Sequence, residues 1–252
     1  MPGPHDELRQ GRWAMSMDWH DLLFLHWPID ADDMRPSIPA PLELETFDGK
    51  AWLGVVPFRM ARVRARCTPP LPAISAFPEL NLRTYVRHGG HSGVFFYSLD
   101  AHQKLAVRVA RASFGLPYFD ARMSCRSVDG RIEYACERTH RGAPAASFRA
   151  RYAPRGAAAV AEPGSLEHFL VERYSLFVVD RRGRARRGDI WHEPWPLQPA
   201  DVELEHCDMT RLAGVELPEQ APHVRFATGL RVRAWMPRIS GPTDKSRTPH
   251  GL

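Results

Sequence analysis

The feature that most constrains the fold of this chain is a succession of short apolar or alternating segments separated by Gly- and Pro-rich turns. Two of these turns, Asp48-Gly49 and Asp129-Gly130, are Asp-Gly pairs, which favour two-residue β-hairpins because both central positions accept a positive φ. We count about a dozen such segments, which is typical of a barrel or a sandwich. We therefore predict a mainly β fold, a closed antiparallel barrel with a few flanking helices.

Helical signals are few. A turn or two is expected within residues 28–35, and a helix should begin after Ser165, which is a suitable N-cap, and run to about Arg173. The segment His102–Phe114 has apolar residues at helical spacing, but its Val-Arg-Val-Ala-Arg core fits a strand equally well, so both assignments stay open.

The composition is that of an ordinary globular protein, with 44% apolar and 25% charged residues in 252. We predict a single barrel domain over residues 16–238, with polar, Pro- and Gly-rich disordered tails at 1–15 and 239–252. Met15 or Met17 would also serve as the start residue. No apolar run of about 18 residues and no signal-peptide pattern occur, so we expect a cytoplasmic protein without a membrane partner.

The charge pattern and the cysteines exclude further classes. The net charge of +5 is modest and mixed with acids, which argues against a nucleic-acid partner, although the basic run Arg181–Arg187 keeps a weak third alternative open. The turn at Asp129-Gly130 predicts a register with Cys125 opposite Tyr134. In that register the neighbouring thiols are too far apart for a disulfide, so we expect free cysteines.

The candidate site lies in the stretch Phe77–Met123. Strand alternation places Asn81, Arg83 and Tyr85 on one face, which is either the polar end of a cavity or an outward face. Glu79, just before them, is either a general base in that cavity or an ordinary solvated glutamate. Such a group suits a small anionic ligand.

Two later residues complete the candidate site. Arg111 is suited to a bidentate clamp on a carboxylate, or alternatively to a structural ion pair with Glu79 or Asp120. Tyr118 is a candidate general acid or oxyanion donor, or alternatively a core aromatic residue whose hydroxyl is satisfied. The histidines are not spaced as metal ligands, and nucleotide-binding glycine motifs are missing, so we predict neither metal nor cofactor.

The ordered motifs of the chain resemble the YqjF family of uncharacterised bacterial proteins, over most of residues 16–236. The motifs that carry the resemblance are Ala51-Trp-Leu-Gly-Val-Val-Pro-Phe, Phe77-Pro-Glu-Leu-Asn-Leu-Arg-Thr-Tyr-Val and Gly93-Val-Phe-Phe-Tyr-Ser-Leu-Asp-Ala. More distantly, the family is similar to acetoacetate decarboxylase, which implies a mostly β closed fold around a small-molecule cavity.

The resemblance to the decarboxylase also implies what this chain has lost. Tyr118 stands where that enzyme has its Schiff-base lysine, and Phe119 stands at the position of the neighbouring lysine. Glu79 matches one catalytic glutamate, and His20 aligns loosely with a substrate-binding arginine. A phenol cannot form an imine, and we expect Lys104 to be exposed, so decarboxylation through a Schiff base is not expected.

Two functions follow as hypotheses. In the first, the protein acts on a small organic acid or carbonyl compound, with Glu79 and Tyr118 as the acid/base pair and with Arg83, Arg111, Asn81 and His20 in substrate binding. In the second, it is a non-catalytic barrel that binds a small ligand as a sensor or carrier. Assembly into a homo-oligomer is left open.

Overall fold

The computed structural model describes residues 12–71 and 75–241, so the predicted tails lie largely outside the described residues. Fourteen strands join in one sheet system. They are β1 (Met15–Asp30), β2 (Glu43–Leu44), β3 (Lys50–Ala65), β4 (Phe77–His88), β5 (His91–Ala101), β6 (Tyr118–Val128), β7 (Arg131–Arg138), β8 (Ser147–Pro154), β9 (Ser175–Val179), β10 (Ala185–Trp191), β11 (Leu197–Gln198), β12 (Ala200–Cys207), β13 (His223–Ala234) and β14 (Arg238–Ile239).

Seven of the strands pair side by side in a closed ring, in the order β1, β3, β4, β5, β9, β10 and β13, with β13 returning to β1. The prediction of a mainly β, closed sheet is therefore confirmed. Most of the pairing is antiparallel, as predicted, but β5 runs parallel to β9 on one side and to β6 over a short stretch. Strands β6, β7, β8 and β12 extend from β5 as an antiparallel arm.

The hairpin at Asp129-Gly130 has the register that the sequence predicts. Cys125 lies opposite Tyr134 and Met123 lies opposite Cys136, and all four cysteines are free thiols. The turn at Asp48-Gly49 also forms, through a bridge between Phe47 and Lys50. Before this turn, β2 is only two residues long, and it pairs with β4.

In the described part of the chain, three α-helices lie outside the ring strands: α1 (Ala31–Met34), α2 (Lys104–Phe114) and α3 (Leu166–Val171). Two 3-10 turns (Arg35–Ser37 and Met209–Ala213) accompany them. The α2 segment is helical rather than extended. Gln103 is its N-cap residue, and the Gln103 side chain accepts a hydrogen bond from the amide of Leu105. Ser165 caps α3 through the amide of His168, and this helix ends two residues before the predicted position. Among the described residues, no helix is both long and apolar enough to cross a bilayer.

Strand β4 separates two apolar cores because its side chains alternate between the two faces of the sheet. Leu80 and Leu82 pack into the core shared with the antiparallel arm. Tyr85 packs into the core inside the ring, together with Phe24 of β1. The face of β4 that looks into the ring is therefore the one that carries Asn81 and Arg83.

Closure of the ring at β5 and β9 depends on a glycine. A Cβ atom added to Gly93 would lie 2.5 Å from the main-chain oxygen of Ser175 and 2.8 Å from the ring of Phe177. We expect Gly93→Ala to lower the free energy of unfolding by about 1–3 kcal/mol, because the two strands would have to move apart. Chemical denaturation measures this. Gly241→Ala is the matched control, since that position is open, and an equal effect of the two substitutions would contradict the packing argument.

Candidate functional site

A cavity of about 390 Å³ lies inside the ring, and each of the seven ring strands contributes to its wall. The wall is mostly apolar. Large side chains from β1, β3, β4, β5 and the segment after β10 form much of it, namely Met17, Trp19, Met60, Phe77, Phe96 and Trp195. A cavity of this volume, with few polar groups at defined positions, is typical of small-molecule sites.

Strand β4 contributes three polar side chains to the wall. Glu79, Asn81 and Arg83 occupy alternate positions on this strand, so all three side chains face the cavity. Each is buried, at 1%, 4% and 8% exposure. The sequence left open whether this face of β4 lines a cavity or points outward, and in the structure it lines the cavity.

Glu79 is mostly protonated at neutral pH. Burial raises the pKa of Glu79 to about 8, the negative charge of nearby Asp100 adds to the rise, and a hydrogen-bonding interaction with the Tyr118 hydroxyl opposes it. Its Oε2 atom has no hydrogen-bond partner within the described part of the protein. The carboxyl group can therefore donate a proton to a ligand or, once ionised, accept one.

Tyr118 begins β6 and lies beside Leu99 of β5, with its ring on the cavity wall. Burial raises the pKa of Tyr118 well above its ordinary value, and the adjacent Glu79 carboxyl raises it further. The phenol is therefore neutral and able to donate a hydrogen bond. The structure brings these two candidate acid/base residues together, although they are far apart in sequence.

An ion pair lies behind Glu79. Arg138 of β7 binds Asp100 of β5 in a bidentate geometry, with N–O distances of 2.7 and 2.6 Å, and both side chains are almost fully buried. The guanidinium also lies 4.1 Å from the ring centroid of Phe119. The pair fixes a negative charge near the Glu79 carboxyl, which favours its neutral form.

Arg83 lies further along β4. Its Nη2 atom donates to the main-chain oxygen of Leu170 at 3.0 Å and to the Tyr85 hydroxyl at 3.4 Å. Opposite it on β3 stands Gly54, where a Cβ would lie 2.8 Å from His26 and 3.4 Å from Arg83. The glycine therefore makes room for both buried side chains.

Two predicted binding residues, Arg111 and His20, lie outside the cavity wall. Arg111, on α2, does not line the cavity, because its Nη1 donates outside it to the main-chain oxygen of Tyr118 at 2.8 Å. His20 is also absent from the wall. Trp19 faces the cavity, so its neighbour His20 points to the opposite side of β1. The alignment of His20 with a binding arginine therefore has no structural counterpart here.

Two buried ionisable residues of the wall, His192 and Arg173, were not among the sequence candidates. His192 is buried beside the cavity, stacks on Tyr174 at 4.6 Å and donates from Nδ1 to the main-chain oxygen of Glu193 at 2.8 Å. Burial lowers the pKa of His192, so the ring is neutral. Arg173 lines the cavity as well, but Glu45 pairs with it at 2.6 Å. No pattern in the chain marks either residue, since their positions depend on ring closure.

The wall excludes some chemistries for the described residues. No lysine is among those that line the cavity, and Lys104 is exposed at the start of α2. Across residues 12–71 and 75–241, no group of three His, Cys, Asp or Glu side chains is placed to hold a metal ion. The polar side chains that line the cavity are thus an acid (Glu79), a phenol (Tyr118), an amide (Asn81), an imidazole (His192), a hydroxyl (Thr68) and three guanidinium groups (Arg64, Arg83 and Arg173).

The chain matches known sequences over most of its length. Residues 16–231 fit the model of DUF2071, a family of uncharacterized conserved proteins. The uncharacterized protein YqjF of Bacillus subtilis (strain 168) is 42% identical over 225 residues, which cover 89% of this chain and 92% of YqjF. The chain belongs to the DUF2071 family. The resemblance to YqjF inferred from its motifs is confirmed.

Solved structures with the same fold are acetoacetate decarboxylase-like. The enduracididine biosynthesis enzyme MppR, bound to the condensation product of pyruvate and imidazole 4-carboxaldehyde, superimposes with a TM-score of 0.61 at 12% identity, covering 91% of this chain and 90% of MppR. An acetoacetate decarboxylase-like enzyme from Sphingomonas wittichii RW1 superimposes with a TM-score of 0.58 at 15% identity, covering 92% of this chain and 95% of that enzyme. Acetoacetate decarboxylase from Legionella pneumophila superimposes with a TM-score of 0.60 at 13% identity, covering 96% of this chain and 92% of the decarboxylase. This DUF2071 member therefore shares their fold.

Proposed function

We propose that the protein is an enzyme that acts on an organic acid or carbonyl compound by proton transfer, without a Schiff-base lysine. The observation that carries the proposal is the buried pair Glu79 and Tyr118 on the wall of an apolar cavity. A strongly shifted carboxyl pKa in a cleft is characteristic of catalytic sites. In support, MppR of the same fold binds pyruvate and a pyruvate condensation product.

The chemistry that these residues suit is removal of a proton next to a carbonyl group. The Glu79 carboxylate would take the proton from the carbon, while the Tyr118 hydroxyl donates a hydrogen bond to the carbonyl oxygen as it gains negative charge. Return of the proton to carbon or to oxygen completes the step with no net change in charge. With a pKa of about 8, Glu79 is a strong base that is still partly ionised at neutral pH.

The test is exchange of α-protons for deuterium in a panel of 2-oxo and 3-oxo acids, followed by NMR. We expect Glu79→Gln to slow exchange by about 10²- to 10⁴-fold, because the amide cannot accept the proton. The wild-type rate should rise with pH and level off above about pH 8, where Glu79 is ionised. Glu137→Gln, which alters an exposed glutamate of β7, is the control and should leave the rate unchanged. Equal rates for the two variants would contradict the proposal.

A second candidate function is binding without turnover, as in a sensor or carrier. It is supported by the absence of lysine from the described wall and by the predominantly apolar lining. In that case, ligands would raise the melting temperature of the wild type and of Glu79→Gln alike, and no member of the oxo-acid panel would exchange or disappear.

A further inference from the structure

Arg83 differs from the other buried arginines of the protein. Within the described residues four arginine side chains are buried, and three of them bind a carboxylate. Arg138 binds Asp100 at 2.6 Å, Arg173 binds Glu45 at 2.6 Å, and Arg187 binds Asp189 at 3.0 Å. Arg83 makes no salt bridge in the described part of the chain, although it is equally buried. A buried guanidinium without a counter-charge is costly unless an anion from outside the chain pairs with it.

The inward face of β4 carries a row of incompletely bonded polar atoms. Oε2 of Glu79, Oδ1 of Asn81 and Nε of Arg83 are buried, and none has a hydrogen-bond partner among the described residues. Buried polar groups in native proteins are nearly always satisfied. Three exceptions at successive inward positions of one cavity-lining strand therefore point to a ligand that lies along this strand.

The two ends of this row are well separated. The Cα atoms of Glu79 and Arg83 are four residues apart, which is about 13 Å along an extended strand. The Arg83 guanidinium also leans away from Glu79, since its bonds go to the Tyr85 hydroxyl and to the main-chain oxygen of Leu170. A molecule as short as pyruvate cannot contact both groups at once.

Apart from Asn81, which lies between them on β4, the wall around these two groups is largely apolar. Leu99, Phe96 and Val94 of β5 line the cavity beside β4. Trp19 and Met60 line it as well, and the space amounts to about 390 Å³. Such a space is suited to a hydrocarbon chain or ring, because each buried CH₂ group contributes favourably to binding.

We propose that the ligand is a monocarboxylic acid of medium length, about eight to ten carbons across the 13 Å span, whose carboxylate binds Arg83. Its apolar body follows β4, and its far end, which bears the reactive carbonyl in a substrate, reaches Glu79 and Tyr118. This assignment rests on the proposed function for the reactive end only. The carboxylate and the apolar body are argued from Arg83 and from the wall.

The first test uses the unmodified protein and isothermal titration calorimetry. Butanoate, hexanoate, octanoate and decanoate are titrated at one pH and ionic strength, with 1-octanol as the uncharged match for octanoate. We expect affinity to rise about fourfold per added CH₂ group up to eight or ten carbons and then to stop rising. We expect 1-octanol to bind at least tenfold more weakly than octanoate. Affinity that is independent of chain length, or equal for the acid and the alcohol, would overturn the proposal.

The second test changes the arginine. Arg83→Gln should weaken the binding of octanoate by at least tenfold and leave the affinity for 1-octanol unchanged. Arg83→Lys should recover part of the lost octanoate affinity. Arg122→Gln, at an exposed arginine of β6, is the matched control and should not alter either affinity. If Arg83→Gln does not fold, the titrations of the unmodified protein still decide the proposal. Undiminished octanoate binding by a folded Arg83→Gln variant would refute it.

These results separate the two proposals. Octanoate binding that depends on Arg83, with no proton exchange in any oxo acid, would retain the ligand class and reject the enzyme. Proton exchange of pyruvate-sized acids with no preference for longer ones would retain the enzyme and reject the ligand class.

Discussion

Between pH 4.5 and pH 8 the protein should lose stability because of Glu79. Its pKa rises from 4.5 to about 8 on folding, so the folded state holds a proton that the unfolded state releases in this range. The stabilisation is complete below pH 4.5 and disappears as the pH rises through 8. At about 1.4 kcal/mol per pH unit, the free energy of unfolding falls by about 5 kcal/mol over this range.

The measurement is the free energy of unfolding by urea at pH values from 4 to 9, for wild type and Glu79→Gln. Buried His26 and His192 have lowered pKa values, so they act in the opposite direction and destabilise the fold as the pH falls. Subtracting the two curves removes their contribution. The free energy of unfolding of Glu79→Gln minus that of the wild type should increase with pH and level off above pH 8. Parallel curves would show that Glu79 ionises normally in the folded protein.

The second large effect is expected at the buried ion pair. Arg138→Met should lower the free energy of unfolding by about 3–5 kcal/mol, because it leaves the Asp100 carboxylate buried without a counter-charge. The double variant Asp100→Asn with Arg138→Met should recover much of this loss, since no charge then remains. Urea denaturation at pH 7 measures both.

The chain offers a matched control for this experiment. Arg122 and Glu137 form an ion pair at 2.7 Å, nearly the same distance as Arg138 and Asp100, but their side chains are 71% and 59% exposed. Arg122→Met should change stability by less than about 1 kcal/mol, because water screens an exposed pair. Similar losses at the two sites would show that burial does not control the strength of these pairs.

The parts of the fold that the sequence predicted well depend on local geometry. The Asp129-Gly130 turn sets the register of its two strands within a few residues, and the pairing of Cys125 with Tyr134 follows directly. Alternation along β4 likewise places Asn81 and Arg83 on one face. The direction of that face was not predictable, because it depends on which core the strand borders.

The parts that the sequence did not predict depend on long-range contacts. The parallel pairing of β5 with β9 joins segments about 80 residues apart, which no local pattern specifies. His192 reaches the cavity wall only because the ring closes. His20 lies outside the wall because alternation along β1 turns Trp19 rather than His20 toward the cavity. Arg111 lies outside the wall because α2 carries its side chain to the outside of β6.

The contribution of all seven ring strands to the cavity wall has an evolutionary consequence. Most wall positions carry interchangeable aliphatic, thioether or aromatic side chains, whereas the ionisable groups lie on β3, β4, β6 and the segments next to α3 and β10. Substitutions of one hydrocarbon side chain by another can therefore reshape the chamber strand by strand while the ionisable groups keep their places. Within such a scaffold, the shape of the chamber and its polar chemistry can diversify independently, and two relatives with the same acid and phenol can accept molecules of quite different shape.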